Sequence, residues 1–192
     1  MTSTTSTTWP FYYDDVLRAL DLGQIDVVGH SSGGMMAAEL AAHLPDRVRT
    51  LSLLSPFGFW SEDHPTVDFA TIPGPSFGSQ LARGNESLVP SPDGDPDRRT
   101  EEAIELSQAL TSALKFLWGF PDQGLTKRIH RVSCPSVVVW GGDDDINPPA
   151  YADQFAAALP GSRVELLDGG HLRPYEQPEQ VSKLVHEFAL SR

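Results

Sequence analysis

Three short stretches hold the residues able to do chemistry. The first is Val27-Val28-Gly29-His30-Ser31-Ser32-Gly33-Gly34-Met35, a G-x-S-x-G pattern after an apolar run and before a helix-forming one. A serine on a tight strand-to-helix turn has strained backbone angles, so small residues are expected two before and two after it; Gly29 and Gly33 supply them. Such a turn lifts the Ser31 hydroxyl out of the sheet and aims the next helix at it, which makes the Ser32 N–H the expected oxyanion donor. The second stretch is Trp140-Gly141-Gly142-Asp143-Asp144-Asp145-Ile146-Asn147-Pro148, and the third is Gly169-Gly170-His171. Serine is a weak nucleophile until a base takes its proton, and the base needs an orienting acid. His171 is the candidate base and one of the three aspartates the candidate acid. Each stretch alone has a plainer reading: a helix cap at Ser31, a loop histidine capping the last helix, a solvated acidic run or weak metal site. Together, on successive strand ends and in the order Ser, Asp, His, they point to nucleophilic acyl transfer.

The elements that must position them follow from periodicity and breakers. Apolar residues over 11–22 predict a short helix stopped by Gly23, and a buried strand begins at Ile25. Residues 33–44 are rich in Ala and Met and predict a helix ended by Pro45; 48–54 predict a second strand. From about Phe57 to Asp97 the chain is dense in Pro, Gly, Ser and Asp, so irregular structure is expected, mobile around 84–97. A helix is predicted over 101–118, a strand over 136–140, a helix over 149–159, a strand over 164–167 and a helix over 178–190. This alternation describes βαβ units on a parallel sheet, where turns after the strands gather at one end. Residues 1–10 open on a Ser/Thr tract and are expected as a disordered tail.

Composition narrows the classes. With 192 residues the chain is long enough to bury about 70% of its unfolded surface in a single core. Its one cysteine, Cys134, allows neither an internal disulfide nor a Cys-rich zinc site, and is expected as a small buried apolar residue. There is no run of about 18 apolar residues and no secretory start, so a cytoplasmic protein without a membrane partner is expected. The net charge of −12 argues against a nucleic-acid partner. His30 is read as structural, and His43, His64, His130 and His186 as surface or packing residues.

VVGHSSGG at 27–34, WGGDDDINPP at 140–149 and LLDGGHLRPYEQPEQ at 166–180 resemble the α/β-hydrolase family, in its esterase, lipase and meta-cleavage-product hydrolase group. The resemblance runs from about Phe11 onward. It implies an α/β fold with a mostly parallel sheet, a core at 11–56 and 132–192, and a cap at 57–131. It selects Asp144 as the acid, because the family's acid follows a glycine by three and precedes a proline by four, as Gly141 and Pro148 do. It implies a carboxylesterase-like serine hydrolase acting on a small-molecule ester, with Ser31, His171 and Asp144 catalytic and no cofactor or metal. Phe57, Trp60 and Trp118 are the expected substrate-binding aromatics. Hydrolysis of a carbon–carbon bond by the same triad is one alternative, and a truncated, non-catalytic binding protein is another. The family has four strands before the helix leading to the nucleophile, one followed by a His-Gly loop that gives a second oxyanion donor. Only about 25 residues precede this turn, so an N-terminally truncated hydrolase is expected, or one completed by self-association through an exposed sheet edge.

Overall fold

The computed structural model describes residues 9–73, 76–82, 85–88, 96–117, 122 and 124–192. Residues 1–8 of the expected tail, and 84 and 89–95 of the stretch expected to be mobile, lie outside the described residues. Among the described residues four strands form one sheet: β1 (Ile25–His30), β2 (Val48–Leu54), β3 (Ser136–Gly141) and β4 (Arg163–Leu167). Their spatial order is their chain order, and every neighbouring pair is parallel.

A sheet that grows in one direction by right-handed crossovers places its connecting helices on one face. Here these are α2 (Ser32–His43), between β1 and β2, and α5 (Ala150–Ala158), between β3 and β4. Small side chains at Ala37, Ala38, Ala41 and Ala42 let α2 lie close to the strands and are almost fully buried. Leu51 and Leu53 of β2 and Val138 and Trp140 of β3 point to this face. The Phe155 ring of α5 stacks on Phe59 with centroids 4.2 Å apart. The opposite face needs an element that is not a crossover. After the short helix α6 (Arg173–Glu176), the C-terminal helix α7 (Pro178–Leu190) supplies it, seating Val181 and Phe188 against Leu54, Val137 and Val139. With apolar cover on both sides, β3 is buried at every residue, as a continuous SVVVW run requires.

The first helix, α1 (Trp9–Ala19), starts earlier than the apolar pattern predicts, because Pro10 suits a first turn. It also ends sooner: Asp21 takes a left-handed φ of 52° and Leu20 and Leu22 remain exposed. Strand β1 lies at a sheet edge with Val28 half-exposed. It is tied inward at Asp26, which accepts from Thr50 Oγ1 at 2.7 Å and pairs with Arg49; Arg49 also donates to the Ala189 carbonyl of α7.

Between β2 and β3 the chain leaves the sheet. Its described part includes α3 (Phe77–Leu81), α4 (Pro96–Leu117), which begins before residue 101, and two tight turns, Leu125–Lys127 and Ile129–Arg131. The turns dock on α2. Leu125 and Ile129 join the main core, and buried Glu39 accepts both Nε (2.8 Å) and Nη2 of Arg128.

Phe155 is fully buried and Leu166 is 61% exposed. Urea unfolding should therefore show Phe155→Ala destabilised by about 3–5 kcal/mol, and Leu166→Ala by under about 0.5 kcal/mol.

Candidate active site

Ser31, Asp144 and His171 sit on turns at the C-terminal ends of the strands. Ser31 follows β1 directly and holds φ 57°, ψ −124°, a region that L-residues rarely occupy. The surrounding close approaches explain how the turn is accommodated. A Cβ on Gly29 would stand 2.3 Å from the Gly33 carbonyl oxygen and 2.7 Å from Ala37 Cβ. A Cβ on Gly34 would stand 2.7 Å from Pro56 Cβ, whereas one on Gly33 would meet open space. The expectation that Gly33 is the small residue required after the serine is thus corrected. Gly33 crowds Gly29 through its carbonyl, and the missing side chain that matters is that of Gly34, which faces the β2 turn. The Ser31 carbonyl accepts from Gly34 N–H at 3.0 Å and Phe57 N–H at 3.0 Å. Ser32 opens α2, so its N–H belongs to the first turn, whose donors have no acceptor within the helix.

His171 and Asp144 are almost completely buried, and Ser31 is partly exposed. Asp144 Oδ2 accepts His171 Nδ1–H at 2.8 Å, and Ser31 Oγ lies 2.8 Å from His171 Nε2. With Nδ1 as the donor to the carboxylate, neutral His171 presents a bare Nε2 to the serine O–H. The other carboxylate oxygen, Oδ1, accepts the N–H groups of Ile146 (3.0 Å) and Asn147 (2.8 Å). Asp143 and Asp145 are exposed. Gly141 admits the base turn: a Cβ there would lie 2.3 Å from the Gly170 carbonyl oxygen.

Of the expected aromatics, Phe57 is buried with its ring centroid 5.7 Å from that of His171. Phe69 and Phe77 continue the row outward, at 5.6 Å and a further 5.7 Å. Trp60 is 45% exposed and, among the described residues, makes no ring contact with His171. Trp118 lies outside the described residues.

Two residues of this neighbourhood carried no signal of their own in the sequence. Buried Asn147 donates through Nδ2 to the Pro56 carbonyl at 2.7 Å, and its own carbonyl accepts Trp140 Nε1–H at 2.9 Å. It pins the acid's loop to the β2 turn. His30 donates from Nε2 to the His171 carbonyl at 2.8 Å. Its pKa is lowered from 6.5 to about 4, first by burial and second by the nearby His171 charge.

The match to known proteins follows this geometry. The sequence fits the model described as "Alpha/beta hydrolase family" over residues 2–184. The chain belongs to that family. Among its hydrolase relatives is an uncharacterized hydrolase, YugF, of Bacillus subtilis (strain 168), 26% identical over 90% of this chain and 68% of its own. Monoacylglycerol lipase ABHD6 of Mus musculus is 27% identical over 86% of this chain and 54% of its own. A meta-cleavage product hydrolase from Pseudomonas fluorescens IP01 shares the fold, with a TM-score of 0.73 at 17% identity, covering 97% of this chain and 72% of that one. The chain spans from 44% to 68% of the length of the curated relatives it matches. Among the described residues no helix is long and apolar enough to cross a membrane.

The lowered His30 pKa has a stability consequence. The unfolded chain binds a proton near the ordinary 6.5, and the folded chain refuses it until about 4. Folded stability therefore falls as pH drops through that window. Thermal melts between about pH 7 and about pH 4 should show a shallower loss for His30→Gln than for the wild type.

Proposed function

We propose that this α/β-hydrolase is a serine hydrolase of the carboxylic-ester type. The observation that carries the reading is the hydrogen-bonded chain from Ser31 Oγ through both nitrogens of His171 to Asp144. Ser31 Oγ attacks the ester carbonyl carbon while its proton passes to His171 Nε2. The carbonyl π pair moves onto oxygen, where the Ser32 N–H stabilises the developing charge. Collapse breaks the bond to the alcohol, which leaves with the proton from His171. Water, deprotonated by His171, then attacks the acyl-enzyme, releasing the acid and restoring the serine. Asp144 stays ionised throughout, holds His171 in the productive tautomer and balances the transient imidazolium. Substrate, water and these side chains carry every proton and electron pair in the route.

The ester class is favoured over carbon–carbon hydrolysis by the mouse relative, which is named a monoacylglycerol lipase. In this reading residues 57–131 form a cap, and Phe57, against His171, faces the apolar part of the substrate. The row from His171 through Phe57 and Phe69 to Phe77 supports an apolar acyl or aryl group there.

A fluorophosphonate probe tests the reading. Mass spectrometry should find a covalent adduct on Ser31 in the wild type and none in Ser31→Ala; folded wild-type protein that takes no label overturns it. With an ester substrate, Asp144→Asn should lower kcat by about 10⁴, because the amide favours the wrong imidazole tautomer.

A further inference from the structure

His30 stands between Gly29 and the proposed nucleophile. Its main chain is bonded to that of Ser31, and it lines a small gap together with Leu54, Val139, Arg173 and Val181. Its Nε2–H donates to the main-chain carbonyl of His171 at 2.8 Å, with the two rings 5.0 Å apart. Beside this bond runs the one between Ser31 Oγ and His171 Nε2, also 2.8 Å. The two bonds close a ring. Adjacent residues of the β1 turn hold opposite ends of His171, one by its backbone and the other by its imidazole.

The two bonds differ in what the reaction does to them. The Ser31 O–H bond disappears once Ser31 is acylated, because the oxygen then carries no proton. The His30 bond takes no part in the chemistry and persists. On its other side His171 is fastened to the β3 turn by Asp144 at Nδ1 and by the Asp143 N–H, which donates to the Gly169 carbonyl at 2.9 Å. Gly169 itself has a φ of 114°, so the base turn includes a residue in glycine's own backbone region.

We propose that His30 is a positioning residue that keeps His171 in register with Ser31 during the acyl-enzyme stage. The proposal rests on the serine-hydrolase reading above. Neutrality suits this role. The ionisable groups around His30 are His171, Asp144, Tyr175 and the Arg173–Glu176 pair. A charged His30 would repel the imidazolium that forms 5.0 Å away. Its pKa near 4 keeps its donor an uncharged N–H at neutral pH.

The test compares His30→Gln, whose amide nitrogen stands near the position of Nε2, with His30→Asn, whose shorter amide cannot reach the carbonyl. Melts establish that each is folded. A chromogenic ester gives a burst for acylation and a steady state for deacylation. His30→Asn should slow deacylation by about 10- to 100-fold and leave KM nearly unchanged, the size expected of a base displaced by about 1 Å. His30→Gln should recover the rate to within about threefold. The low-field NMR resonance of His171 Nδ1–H in the phosphonylated protein should stay sharp in the wild type and His30→Gln, and broaden in His30→Asn. Folded His30→Asn that deacylates at the wild-type rate, or His30→Gln as slow as His30→Asn, overturns the proposal. If His30→Asn does not fold, His30→Gln decides alone: a near-native rate with a sharp resonance supports the role, and loss of either overturns it. Wild type that takes no fluorophosphonate label sinks the hydrolase reading instead. The same resonance in unlabelled protein then tests whether His30 orders His171.

Discussion

The site hangs on backbone hydrogen bonds that carry the parallel ladder beyond the ends of the strands. Ser31 N–H donates to the Leu54 carbonyl at 2.9 Å, Ser55 N–H to Val139 at 2.8 Å and Gly142 N–H to Leu167 at 2.8 Å. Each turn is thereby hooked to the next strand, and the turns inherit the spacing of the sheet, about 4.8 Å from strand to strand. The candidate nucleophile leaves β1, the acid β3 and the base β4. The turn after β2 gives no reacting group, yet it sits between them. It offers the Phe57 N–H to the Ser31 carbonyl and the Pro56 carbonyl to Asn147. The strained Ser31 and Ser55 backbones, with φ of 57° and 41°, flank the same hook. They persist because packing on several sides leaves those residues no other conformation.

Burial is graded across the three groups. The Asp144 carboxylate is sealed from water, and burying a charge is unfavourable unless it is hydrogen-bonded. Three N–H groups meet that requirement: Ile146 and Asn147 at one oxygen and His171 at the other. Ser31, at the other end of the chain, is partly open. In the proposed reaction a proton moving from serine to histidine creates an imidazolium directly against a fixed, desolvated carboxylate, where the attraction is stronger than in water. Burial and the neighbouring His171 lower the His30 pKa to about 4, so in the proposed reaction the positive charge has one seat, on His171.

Much of this was legible in the sequence. The apolar runs of β2 and β3 and the Pro and Gly breakers marked the helices and strands, because local packing and local sterics act within a few residues. Helix α7 was readable to its bounds from Val181, Leu184, Val185 and Phe188 on one face. The bounds of α1 were less so. Pro10 extends it at the start, and Leu20 and Leu22, apolar by type, lie exposed beyond its end. The choice of Asp144 among three adjacent aspartates came from resemblance. The physical difference between them, one buried against His171 and two exposed, exists only once β3 and β4 are paired.

Residue identity and order by themselves determined the α/β alternation, the serine turn with its flanking glycines, and a candidate base and acid on turns after later strands. These depend on periodicity, backbone sterics and side-chain chemistry, all properties of short segments. Tertiary structure alone decided the rest: that Gly34, and not Gly33, is the tight approach, that Asn147 pins the acid's loop, that Phe57 borders His171 while Trp60 faces outward, and that His30 reaches the carbonyl of His171. Each of the contacts among these joins segments more than 20 residues apart in the chain. Only the register of the parallel sheet brings such turns within a few ångströms, and no local pattern encodes that distance.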